Sequence, residues 1–174
     1  HDLAARSDVI VVSVRPNDYA DLHLQVGDRL VLSFMAGVGS DILRRSGGRI
    51  VRVMPNAAAE IGVSYSPWWA DTKVTESDKS KVTAIMSAIG TSDELADEAQ
   101  IDLMSAVPGS GAAYPALMAT ALANFLMTRG VDERIAWRSA EAVVCGGAQL
   151  LAGKVETAPD MLKAYKDYGG ITAK

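Results

Sequence analysis

Cysteine is nearly absent: Cys145 is the one thiol in 174 residues. An internal disulfide and a Cys-rich zinc site are excluded, and the content is ordinary for a reducing cytosol. Histidine is almost as scarce. His1 and His23 have no companion at metal-ligand spacing, so no metal centre is expected. There is no basic block. With 17 Lys and Arg against 21 Asp and Glu, the formal charge is −4, and so mildly acidic a chain is a poor nucleic-acid binder. No secretory signal opens the chain, and a cytoplasmic place is expected. Low-complexity tracts, internal repeats and a Ser/His/Asp or Cys/His constellation are missing too. One uncharged run, 103–128, has the length of a membrane span. Pro108, Gly109, Gly111 and Pro115 interrupt its start, so a buried helix or subunit interface explains it better, and no membrane partner is expected.

What is present is globular: 49% of the residues are hydrophobic. Residues 8–14 form a continuous β-branched run, as in a strand buried on both faces. Arg15-Pro16 stops it, and a short helix over 18–25 follows. Strands are expected at 28–34 and 49–53, with a weaker one at 61–65. Between them Gly37 and Gly39 break the chain, and Ser40 is positioned to cap a helix near 41–46. Strands alternating with short helices argue a parallel α/β sheet. Three such strands leave an open edge, so this reads as the second half of a larger sheet.

Thr75-Glu-Ser-Asp78 has capping-motif spacing and opens a helix that Gly90 ends. The aromatic pair Trp68-Trp69 is expected to pack at the junction of the two halves. Helices are then expected at 98–107, 112–129, 132–152 and 158–167. The third is apolar nearly all round, with Cys145 as a small buried hydrophobe, and needs a partner surface. An interleaved dimer follows. The fold class is thus α/β, a partial Rossmann-like parallel sheet over 1–97, followed by an all-α dimerisation domain over 98–174.

Taken one at a time, the candidate site signals are weak. Arg15-Pro16, Ala36-Gly37 and Asn56 each follow a strand, where open α/β sheets bind ligands. Each also has a plain reading as a turn or cap, and no G-x-G-x-x-G accompanies them. Pro108-Gly-Ser-Gly111 and Gly169-Gly170-Ile171-Thr172 are each an anion nest or an ordinary corner or terminus.

Together these signals occur in a known order, and the chain resembles the pyrroline-5-carboxylate reductase family of proline biosynthesis. The family's Ala-Val-Lys-Pro reads here Ser13-Val14-Arg15-Pro16, and its Ser-Ile-Ala-Ala-Gly reads Ser33-Phe34-Met35-Ala36-Gly37. Its Arg-Val-Met-Pro-Asn reads Arg52-Val53-Met54-Pro55-Asn56. Its Ser-Gly-Ser-Gly-Pro-Ala-Tyr appears as Pro108-Gly109-Ser110-Gly111-Ala112-Ala113-Tyr114. Its Ser-Pro-Gly-Gly-Thr-Thr appears as Asp167-Tyr168-Gly169-Gly170-Ile171-Thr172.

The resemblance implies an oxidoreductase that moves hydride from NADP(H), or NAD(H), to a cyclic imine carboxylate and gives L-proline. It implies that Val14, Arg15, Pro16, Ala36, Gly37 and Asn56 meet the nicotinamide half of the cofactor. It assigns the substrate to Ser110, Gly111, Gly169, Gly170 and Thr172, with the Thr172 hydroxyl near the ring nitrogen as the catalytic group. It implies a homodimer or higher homo-oligomer. Pro108, Ala112, Ala57, Ala58, Asp167 and Tyr168 depart from the family pattern. A related imine or keto-acid reductase is therefore the second reading, and a non-enzymatic dimerisation or regulatory protein the third. Without an upstream Gly-rich βαβ unit and a C-terminal helix, the chain is expected to be a fragment that binds dinucleotide weakly.

Overall fold

A computed structural model describes residues 2–169, and the side chains of 3–169. The chain divides into two compact units between Ala112 and Ala113.

The first unit opens with α1 (Asp2–Ala5) and is built on strands β1 (Val9–Val12), β2 (Leu30–Ser33) and β3 (Arg49–Val53). They pair in parallel, with Val12 beside Ser33 and Ser33 beside Arg52. Their carboxyl ends therefore share one edge of the sheet. Short helices α2 (Pro16–Tyr19) and α3 (Ser40–Leu43) make the β1–β2 and β2–β3 crossovers. Val12, Val31, Leu43 and Ile50 form the core of one sheet face. On the other face Leu30, Leu32, Val51 and Val53 pack against Val82 and Met86 of α4 (Glu76–Ser87). Both faces of β2 and β3 are covered, whereas β1, at the sheet edge, leaves Val11 exposed and is not buried on both faces as its apolar run suggested.

Three further details differ from the sequence reading. The fourth strand of the sheet is β5 (Trp68–Ala70), antiparallel to β3, and it is formed by the tryptophan pair. Residues Ala57–Ile61 form a 3₁₀ turn, and β4 (Ser64–Tyr65) pairs with β6 (Gly90–Thr91) in a separate ribbon. Ser40 is not the cap of α3. Gly39 holds that place, and the Ser40 hydroxyl donates to Glu98. Thr75 does cap α4, in a reciprocal box with Asp78.

Helix α5 (Ala99–Met104) closes the first unit and passes into a π-turn over Ser105–Gly109 that contains Pro108. The division into compact units falls after this turn, and Asp102 of α5 is ion-paired to Arg52 of β3.

The second unit holds α6 (Ala113–Met127), α7 (Glu133–Glu141) and α8 (Ala158–Asp167). Gly130, at φ 83°, turns the chain after α6, and the Asp132 side chain accepts the Ile135 N–H to cap α7. Helices α6 and α7 pack through Ala123, Ala136 and Ala140, all buried. The expected single helix over 132–152 is α-helical only to Glu141. It continues as a π segment (Ala142–Gly146) and a 3₁₀ segment (Gly147–Leu151), where Gly146-Gly147 weakens α-geometry. Cys145 is exposed in the single chain, contrary to the buried place expected. Tyr114, Leu117, Phe125, Trp137 and Leu150 are exposed as well. Among the described residues no helix is long and apolar enough to cross a membrane.

Candidate active site at the strand ends

The parallel register delivers three of the predicted segments to one edge. Val14, Arg15 and Pro16 follow β1, Ala36 and Gly37 follow β2, and Asn56 follows β3. Strand ends of this kind form the binding crevice of open α/β sheets. Pro16 starts α2, where its missing N–H costs nothing. Arg15 stays exposed, with Nε donating to Asp18 Oδ2 at 2.9 Å, so an exposed ion pair stands at this edge. Ala36 and Gly37 are exposed. Gly37 sits at φ 72°, and a Cβ built on it meets nothing within 4 Å. The β2 terminus therefore presents bare backbone to open space, a surface a flat ring can approach. Asn56 spends Oδ1 on capping: it accepts the Ala58 N–H at 2.9 Å. Its Nδ2 is directed toward the Pro108–Gly111 turn, 3.7 Å from where a Gly111 Cβ would stand.

That turn lies on the β3 end. A Cβ at Gly109 would come within 3.2 Å of Met54 Cγ, and one at Gly111 within 2.8 Å of the Pro108 carbonyl oxygen. Glycine is required at Gly111 because a side chain there would collide with backbone. Two nest groups are already used locally. The Gly111 N–H donates to the Pro108 carbonyl at 2.9 Å, and Ser110 Oγ donates to the Ser105 carbonyl at 3.1 Å.

In the second unit, Gly169 follows α8 at φ 70° and donates its N–H to the Lys166 carbonyl at 3.0 Å. It acts here as the left-handed residue that ends a helix. Gly170 and Thr172 lie outside the described residues.

Sequence reading missed the charged frame beneath this edge. Arg52 is only 3% exposed. Its Nη1 donates to Glu98 Oε1 and its Nη2 to Asp102 Oδ1, both at 3.0 Å. Glu98 also accepts the Ser40 N–H at 2.7 Å and the Ser40 hydroxyl at 2.6 Å. Two further arginines are paired nearby in the fold. Arg44 holds the Asp71 carboxyl below the usual carboxylate range, and Arg49 does the same to Asp78. The available signal was an arginine inside an otherwise apolar strand run, which demands a partner. Among the described residues no group of three or more His, Cys, Asp or Glu is placed to hold a metal ion.

The chain is similar to known proteins in sequence and in fold. The pyrroline-5-carboxylate reductase dimerisation model matches residues 98–174. A pyrroline-5-carboxylate reductase of Vibrio alginolyticus is 31% identical over 98% of this chain and 66% of its own length. Among solved structures, the Streptococcus pyogenes 1-pyrroline-5-carboxylate reductase superposes with a TM-score of 0.86 at 23% identity, covering 99% of this chain and 68% of that one. The Plasmodium falciparum pyrroline carboxylate reductase, solved with NADP bound, gives 0.84 at 24% identity over 99% and 68% of the two chains. The chain spans about two thirds of the length of the curated relatives it matches, 66% for each of the first three.

Proposed function

We propose that this chain, which belongs to the pyrroline-5-carboxylate reductase family, serves in the NAD(P)H-dependent reduction of 1-pyrroline-5-carboxylate to L-proline. The observation that carries the proposal is the shared edge: three strand ends converge, one with bare glycine backbone, and a Gly-Ser-Gly turn packs against the third.

The edge suits a nicotinamide. Gly37 leaves room for a ring at the β2 end, Val14 and Pro16 offer apolar contact, and Arg15 supplies a positive charge for the cofactor's phosphates. NADP(H), or NAD(H), when bound, supplies the hydride. The protein's own task is to position the reactants, exclude water and manage one proton. Ser110 and Gly111 are assigned to the substrate side. The substrate carboxylate is assigned to the Gly169-Gly170 backbone. The Thr172 hydroxyl is assigned to the imine nitrogen, which must be protonated or hydrogen-bonded as hydride arrives. The 98–174 region is assigned to a homodimer or higher homo-oligomer, and the lone exposed cysteine suits a cytoplasmic place.

Steady-state oxidation of NADPH by the natural full chain, with pyrroline-5-carboxylate set against a panel of other cyclic imines and 2-keto acids, tests the reading. A kcat/KM highest for pyrroline-5-carboxylate is expected. A higher value for another imine or keto acid moves the substrate, as the altered Asp167-Tyr168 loop would allow. No oxidation with any of them rejects the enzymatic reading.

A further inference from the structure

The ring contacts proposed above sit on the 34–39 loop and the turn contacts on the continuation of α5. These pieces are far apart in sequence and meet at one carboxylate. Glu98 immediately precedes α5. It accepts both the backbone N–H and the hydroxyl of Ser40, the residue that ends the 34–39 loop. The same carboxylate accepts from Arg52 Nη1, and the other terminal nitrogen of Arg52 reaches Asp102 one helical turn along α5. At the loop's other end, Ser33 lies beside Arg52 in the β2–β3 register, and its hydroxyl accepts the Met35 N–H at 3.4 Å. Arg52 is thus a buried post, Glu98 the tie, and the loop is pinned at both ends.

We propose that Glu98 is a positioning residue that holds the Ala36-Gly37 loop at a fixed separation from the Pro108–Gly111 turn. The catalytic consequence rests on the functional reading above. The tie itself rests only on this geometry.

Several features argue for a positioning role rather than bulk stability. Glu98 is partly exposed, with a side chain 26% accessible, yet three donors converge on it. Two of those donors belong to one residue at a loop end, where a fixed carboxylate removes two degrees of freedom at once. Arg52 keeps Nε buried with no hydrogen-bond partner among the described residues. Its orientation is therefore set by the two acids it reaches rather than by surrounding polar groups. Misplacing a reacting group by about 1 Å costs on the order of a hundredfold in rate. A loose loop is therefore felt in turnover before it is felt in folding.

The test uses Glu98→Ala, Ser40→Ala and the double variant, with two readouts. The first is amide hydrogen exchange in this chain, without ligand. In Glu98→Ala the Ser40 amide and its loop neighbours should lose protection, while Val31 and Val51 amides keep theirs. Unchanged Ser40 protection, or equal loss throughout the sheet, overturns the tie. The second is steady-state kinetics in the natural full chain. Glu98→Ala should lower kcat by about tenfold or more, with KM for the imine changing less than kcat. Ser40→Ala should show a smaller loss of the same kind, and the double variant should be no worse than Glu98→Ala, because both act through one contact. Additive losses, or a kcat that does not fall, overturn positioning. If Glu98→Ala does not fold, the milder Ser40→Ala decides on the same two criteria. A wild type with no turnover rejects the functional reading and its catalytic consequence, and the exchange result still decides the tie.

Discussion

Two arginines on the central strand β3 set the energetics at the scale of single residues. Arg49 donates Nε and Nη2 to the two oxygens of Asp78 at 2.8 and 3.0 Å. The same aspartate accepts the Thr75 N–H and hydroxyl in the capping box of α4. These contacts hold its pKa below the ordinary aspartate value, with the Arg49 hydrogen bond as the largest cause. A carboxyl depressed in the folded state adds stability that is complete above its unfolded pKa, roughly 3.9. That stability is lost as pH falls from there toward the folded value. Asp78→Asn should therefore cost about 2–3 kcal/mol near neutral pH, and the gap to wild type should narrow below pH ~4 in acid denaturation series. A gap independent of pH would assign the effect to shape rather than charge. On the proposed assignment of the Thr172 hydroxyl to the imine nitrogen, Thr172→Val should lower kcat by tens to a thousandfold, on the order of 2–4 kcal/mol, with an unchanged Tm. A lower Tm with normal turnover would make Thr172 a loop cap instead.

Elements differ in how much of them sequence could disclose. Strands β1, β2 and β3 were legible because their runs are rich in β-branched and apolar residues and are stopped by turn signals, although β3 carries Arg49 and Arg52 and Val11 of β1 is exposed. Helix α4 was legible because Thr75 and Asp78 carry its cap at a fixed spacing. Strand β5 was not, since three residues between Pro67 and Asp71 are too few to show alternation, and the tryptophans there look like packing anywhere. The segment after α7 kept its apolar period while Gly146-Gly147 loosened its geometry, which periodicity does not register. At the site, the strand-end residues were legible through glycine and proline. Glu98 and Asp102 were not, because their partner Arg52 stands 46 and 50 residues away. The β4–β6 ribbon offers an element-scale prediction. Gly90 sits at φ 148°, and a Cβ there would lie 2.0 Å from the Ser64 carbonyl oxygen. Gly90→Ala should destabilise the first unit by more than about 2 kcal/mol in denaturant melts. Full stability in that variant would mean the ribbon can part without cost to the core.

For the molecule as a whole, two kinds of surface remain. The second unit exposes Leu117, Phe125, Trp137 and Leu150 along helices whose shared core is three alanines. So much apolar surface on so small a core predicts self-association burying more than roughly 2,000 Å². Sedimentation at low micromolar concentration should give a dimer or larger, and a folded monomer there would contradict it. The first unit offers the strand-end edge, and the account depends most on what binds there. Reduced nicotinamide mononucleotide carries the ring without the dinucleotide's second half, so titrating it into this chain while following backbone amide NMR shifts is the direct measurement. Saturable shifts centred on Val14, Ala36, Gly37 and Asn56 are expected. Shifts confined to another surface, such as the cleft beside Tyr19, His23 and Arg45, or no shifts at high ligand concentration, would contradict binding at this edge.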